Sequence, residues 1–128
     1  MPQALIVDDE PGIRFALKRW FERQGYSVRE ADSGDSAVAA LISNEAADSN
    51  EFDVVVCDLN LPGMSGDALL QRLALERPAI VSRVILTTGD AIVDAAPDSV
   101  LANHPHVLQK PFDLATLKTM VDRVTDRA

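Results

Sequence analysis

An open α/β sheet, five parallel strands with helices on both faces, is the fold class this sequence predicts. Apolar β-rich runs alternate along the chain with segments of helical period, the order expected of a parallel sheet. Two of those runs, DVVVC and RVILT, are nearly continuous in apolar or β-branched residues, as strands covered on both faces must be. No internal repeat or low-complexity tract breaks the alternation.

The strands are expected at 4–7, 27–30, 53–57, 83–87 and 106–108. Ile13, Leu17, Trp20 and Phe21 recur at helical spacing, and Gly25 is a suitable stop. A second helix is expected over 37–42, with Ser33 or Asp35 as its cap, and a third over 68–75, stopped by Pro78. Leu114, Leu117, Val121 and Val124 predict a last helix with Asp113 at its N-cap. The stretch 91–103 is read as a fourth helix interrupted by Pro97, and the polar 43–51 as a loop.

The chain has 128 residues, 47% hydrophobic and 25% charged, which suits one domain over 1–128 with a core of about 3–125. A formal charge of -8 disfavours binding to nucleic acid or to anionic membranes. There is no apolar run near the length of a membrane span and no signal-peptide pattern, so a cytoplasmic location is expected. The lone Cys57 excludes an internal disulfide and, by strand alternation, points into the packed face as core filler.

In such sheets ligands sit beyond the carboxyl ends of the strands. The residues just after the strands are Asp8 and Asp9, then Asp58, Thr88 and Lys110. If the first and third strands are neighbours, three carboxylates converge. At an effective dielectric near 20, two such charges about 4 Å apart repel by about 4 kcal/mol. A hard divalent cation such as Mg2+ removes the conflict. Asp58 opens DLNLPGMSG, a tight turn that can position a strand-end carboxylate either to ligate metal or to attack a phosphoryl group. Thr88 offers a hydroxyl, Gly89 an uncluttered backbone N–H, and Lys110 a cationic donor held by Pro111, the donors that phosphoryl transfer needs.

VDDE, DLNLPGMSG, LTTGD and LQKPF, each following a strand, together resemble the receiver domain of two-component response regulators. The resemblance implies a flavodoxin-like doubly wound sheet of order 2-1-3-4-5. It implies a phosphorelay switch in which Asp58 accepts a phosphoryl group from a phosphohistidine. Asp9 and Asp58 would bind Mg2+ directly (Mn2+ or Ca2+ could substitute), with the Asn60 backbone carbonyl as a further ligand and Asp8 acting through water. Thr88, Gly89 and Lys110 would bind the phosphoryl group, and Asn60 and Asp90 would tune its lifetime. The partner would be a sensor histidine kinase or a histidine phosphotransfer protein. The surface formed by the fourth predicted helix, the fifth strand and the last helix would change shape and could support a weak homodimer.

Val107 departs from the family, which carries Tyr or Phe there as a partner of the switch threonine. His104 and His106 beside it are read as loop residues. This stretch is more like receivers at the C-terminus of hybrid histidine kinases, and an altered output surface is expected.

Each residue alone has an ordinary structural explanation: a cap, a turn hydroxyl or a surface lysine. Their joint occurrence at successive strand ends favours the site. A haloacid-dehalogenase-type phosphohydrolase would need an acid/base Asp where Asn60 stands. A non-phosphorylated docking module would not need the intact set. A switch that catalyses only its own phosphorylation and dephosphorylation is therefore expected, rather than an enzyme acting on a separate substrate. Glu10 is read as a helix-start acid.

Overall fold

A computed structural model describes residues 2–42, 52–89, 104 and 106–125. Its strands are β1 (Gln3–Val7), β2 (Ser27–Ala31), β3 (Val54–Asp58), β4 (Val84–Thr88) and β5 (Val107–Gln109). They pair in parallel in the order β2-β1-β3-β4-β5, as the resemblance implied. The helices are α1 (Pro11–Arg23), α2 (Gly34–Leu41), α3 (Gly66–Glu76), the single turn α4 (Pro78–Val81) and α5 (Leu114–Thr125). The helix expected at 91–103 and the loop expected at 43–51 fall outside the described residues.

Both faces of the central strands are buried, and residue parity sorts the core into two layers. Leu5, Val7, Val55, Cys57, Val84 and Leu86 pack with Ala37, Leu41, Leu69, Leu73 and Ile80 of α2, α3 and α4. Ala4, Ile6, Val54, Val56 and Ile85 pack on the other side with Leu17, Trp20 and Phe21 of α1 and Leu117 and Val121 of α5. Each fully buried Leu, Ile or Phe stabilises the fold by about 1.5–3 kcal/mol, which anchors the sheet whose carboxyl edge carries the polar residues.

The helix limits follow from capping. Ser33 caps α2, its Oγ accepting the Ser36 amide at 3.2 Å, so the helix starts at Gly34 rather than at 37. Ser65 caps α3 in the same way, accepting from Ala68 at 3.1 Å and moving that start to Gly66. Pro78 ends α3 as expected but also opens α4, where its fixed φ suits the first helical position. Asp113 caps α5, with its Oδ1 2.7 Å from the Thr116 amide. This bond holds the Asp113 carboxyl below the usual aspartate range. At the end of α1, Tyr26 N–H reaches the Phe21 carbonyl at 3.0 Å and Gly25 N–H reaches Glu22 at 3.1 Å. Gly25 takes the positive φ (92°) this closure requires, and the Phe21 and Tyr26 rings meet edge-on across it.

The strands differ from expectation by about one residue at their ends. Asp58 and Thr88 are the last residues of β3 and β4 rather than the first beyond them, because the ladder continues one step further: Asp58 pairs with Thr87 and Thr88 with Gln109.

Candidate functional site

β1 ends at Val7, but the Asp8 amide adds one more ladder bond to the Ala31 carbonyl at 3.1 Å. Asp8 therefore stays buried at the carboxyl edge while the chain turns away and leaves Asp9 and Glu10 exposed. The Asp8 Oδ1 accepts the Glu10 amide at 2.9 Å. At the end of β3 the same device recurs: the buried Asp58 accepts the Asn60 amide on Oδ1 at 3.1 Å. One oxygen of each aspartate is thus fixed by a backbone N–H two residues on, which restricts how the carboxylate can turn.

The second oxygens meet a shared cation. The Lys110 Nζ stands 3.1 Å from Asp8 Oδ2 and 3.1 Å from Asp58 Oδ2. Lys110 leaves β5 with its amide donating to the Thr88 carbonyl at 2.7 Å, and its peptide bond to Pro111 is cis. Burial disfavours the charged ammonium, but the hydrogen bonds and charges of Asp58 and Asp8 outweigh it and raise its pKa above the ordinary lysine value. A groove of about 430 Å³, lined by Glu10, Ile13, Lys110, Pro111 and Phe112, opens beside this ammonium.

Asp8, Asp58, Thr88 and Lys110 therefore come together at one edge of the sheet. Thr88 is fully buried, Gly89 follows it in the open, and Asn60 is exposed in the loop after β3. Gly66 holds that loop close: a Cβ there would lie 2.7 Å from the Asp58 carbonyl oxygen and 2.8 Å from Leu59 Cα. Val107 opens β5, half-buried against the layer of α2 and α3. Asp90 lies outside the described residues.

Two features differ from the sequence reading. The resemblance gives Lys110 only a phosphoryl partner, yet its ammonium already offsets part of the charge of the crowded aspartates. Glu10 was read as a helix-start acid, and it does precede α1 as its N-cap. Its carboxylate also belongs to a cluster with Asp8 and Asp9 in which one oxygen from each lies within 4.8 Å of the others. Such a set of hard oxygen donors suits a hard cation, Mg2+ or Ca2+, and offers no nitrogen or sulfur for a softer metal.

Cys57 and the two histidines fall where expected. Cys57 is buried in the α2/α3 layer, and burial, with the negative charges of Asp58 and Asp8, pushes its thiol far above the ordinary range. Phe112 packs against the α1/α5 layer. The His104 ring bonds the Val84 carbonyl and meets the His106 ring edge-on, with centroids 5.9 Å apart.

An open parallel sheet of this order, with paired aspartates and a lysine at its carboxyl edge, defines a class of α/β signalling domains. The chain belongs to the response regulator receiver domain family, whose sequence profile matches residues 4–122. It is thus a signalling switch built on a phosphorylatable aspartate. Chemotaxis protein CheY-3 of Vibrio cholerae is 32% identical over 124 residues, covering 96% of this chain and 91% of that protein. The DNA-binding transcriptional regulator NtrC of Klebsiella pneumoniae is 33% identical over 120 residues, 94% of this chain but 24% of NtrC. The chain therefore spans about a quarter of the length of the NtrC relatives it matches. The response regulator TrrA of Thermotoga maritima, solved with Mg2+ and BeF, superposes with a TM-score of 0.76 at 26% identity, covering 97% of this chain and 99% of that one. No helix among the described residues is long and apolar enough to cross a membrane.

Proposed function

We propose that Asp58 is the phosphoryl acceptor of this switch and that Mg2+ is the cation of its acidic corner. The observation that carries the reading is the Lys110 ammonium shared at 3.1 Å by Asp8 and Asp58, beside the end of β4. Asp9, Asp58 and the Asn60 carbonyl would hold the ion, with Asp8 acting through water. When bound, the ion neutralises charge on the phosphoryl oxygens.

A carboxylate oxygen of Asp58 attacks the phosphorus of a phosphohistidine. The O–P bond forms as the P–N bond breaks, and the leaving imidazole takes up a proton. Lys110, already charged and placed at the acceptor, turns from the carboxylate to a phosphoryl oxygen. The Thr88 hydroxyl and the Gly89 N–H donate to the others. Lys110 and Thr88 gain a new anionic partner in this step, which biases β5 and the elements around Val107. Asn60 and Asp90 would tune the lifetime of the acyl phosphate.

In this reading residues 1–128 act as one receiver domain in the cytoplasm, serving a sensor histidine kinase or a histidine phosphotransfer protein. Its only catalysis is its own phosphorylation and dephosphorylation. A weak homodimer would use the side of the domain that carries β5 and α5. The test is intact mass after incubation with acetyl phosphate, with and without Mg2+. A Mg2+-dependent gain of about 80 Da is expected in the wild type and not in Asp58→Asn. No gain in the wild type removes the main claim, and a gain that survives in Asp58→Asn moves the acceptor elsewhere.

A further inference from the structure

Arg14 has no place in the site described so far, yet it reaches the acidic corner from behind. It lies one turn into α1 and its Nη1 donates to the Asp8 backbone carbonyl at 2.6 Å. Its Nε faces Glu30 Oε1 of β2 at 3.5 Å, and Glu30 also faces the Lys18 ammonium at 4.0 Å. The Arg14 side chain is 19% exposed, so the guanidinium is largely withdrawn from water, on the wall of a cleft of about 270 Å³ with Glu30, Asp32 and Ser36.

We infer that Arg14 is a positioning residue: by fixing the Asp8 carbonyl to Glu30, it sets the peptide from which Asp9 and Glu10 present their carboxylates. The inference rests on the reading of this corner as a divalent-cation site. The geometry is that of a clamp. The Asp8 amide is held by Ala31 and the Asp8 side chain by Lys110 and the Glu10 amide. The Asp8 carbonyl is the remaining handle, and Arg14 takes it. A guanidinium forks between two acceptors, whereas a lysine ammonium in its place would be a single point charge. Groups that orient metal ligands without touching the metal typically change affinity by about 10–100-fold when removed.

Position and charge predict opposite signs, which makes the inference testable. Arg14 is a cation near the corner, so acting through charge alone its removal would tighten Mg2+ binding. Acting through position, its removal weakens it. Calorimetric Mg2+ titration of Arg14→Gln is expected to raise the dissociation constant about tenfold, with Arg14→Lys between it and the wild type. Glu30→Gln, which keeps the guanidinium but loosens it, should weaken binding by a smaller factor. In the metal-free protein the Asp8 and Glu10 amides should exchange hydrogen faster in Arg14→Gln, while amides of β3 and β4 keep their protection.

Unchanged or tighter Mg2+ binding in Arg14→Gln, or unchanged exchange at Asp8 and Glu10, overturns the inference. A wild type that binds no Mg2+ overturns the cation reading instead, and the exchange measurement then still decides whether Arg14 holds the corner. If Arg14→Gln does not fold, Arg14→Lys, which keeps the charge and loses the fork, carries the comparison: charge alone predicts no change and position predicts weaker binding.

Discussion

Replacing Lys110 by Met keeps most of the apolar stem and removes the charge shared by two buried aspartates. Each 3.1 Å contact corresponds to about 5 kcal/mol of attraction at an effective dielectric near 20. Desolvation cancels much of that, and the Lys110 side chain retains 18% exposure. Removing one partner of a buried pair costs about 3–5 kcal/mol, because a charge is left uncompensated. Discounting for solvent, Lys110→Met is expected to lose about 2–3 kcal/mol in urea unfolding with EDTA present. Millimolar Mg2+ should stabilise the variant more than the wild type, since the added cation relieves a repulsion that Lys110 partly offsets in the wild type. The pH dependence has a definite sign. Lys110 titrates above the ordinary 10.5, so its contribution is fully present below that value and is lost as pH rises through the higher folded value. The stability gap between wild type and variant should hold through neutral and mildly alkaline pH and close only beyond. A Lys110→Met protein as stable as the wild type in EDTA would refute the reasoning.

Gly66→Ala places a methyl group against the Asp58 carbonyl and Leu59 Cα, both rigid backbone. A loss of about 1–3 kcal/mol is expected together with slower phosphorylation by acetyl phosphate, and wild-type behaviour would contradict the packing assigned to this loop. His106 titrates below its ordinary 6.5 because burial, His104 and Arg123 disfavour its charge. A lowered base contributes stability above the unfolded value and loses it as pH falls through the folded one. Thermal stability should therefore fall below about pH 6.5, and His106→Gln should flatten that slope. Cys57 should stay inert to a disulfide reagent at pH 8 until the protein is unfolded in urea; rapid reaction of the native thiol would show that the layer over β3 opens.

The parallel sheet was legible because β3 and β4 are covered on both faces, and continuous apolar runs such as Val54–Cys57 have few other uses. The caps at Asp113 and at Ser33, which the sequence offers beside Asp35, are equally local: a hydroxyl or carboxylate in front of a helical pattern reaches an amide three residues on. Convergence of Asp8, Asp58, Thr88 and Lys110 followed from sheet topology, since each stands at a strand's carboxyl end. What the sequence did not disclose was partner choice. That one ammonium serves both aspartates depends on the side chain of Lys110 crossing from β5 to β1, a contact that no local pattern encodes. The part Arg14 plays is hidden in the sequence because an arginine on an amphipathic helix ordinarily reads as solvated. The available signal was its place one turn after Pro11, which turns it back toward the end of β1. Glu10 was judged by its helix position alone, while its nearness to Asp8 and Asp9 comes from the turn its own amide makes.

The bond from the Lys110 amide to the Thr88 carbonyl gives the sheet edge a mechanical property. β5 is only three residues long and, among the described strands, pairs with β4 alone. Its last ladder step, Thr88 against Gln109, adjoins the residue that reads the charge of the aspartates. The Lys110 side chain is therefore joined to a short strand with one described neighbour, whereas β1 and β3 are each paired on both sides. The aspartates thus stand on strands tied along both edges, and a shift of the ammonium is expected to load β5 before it loads them.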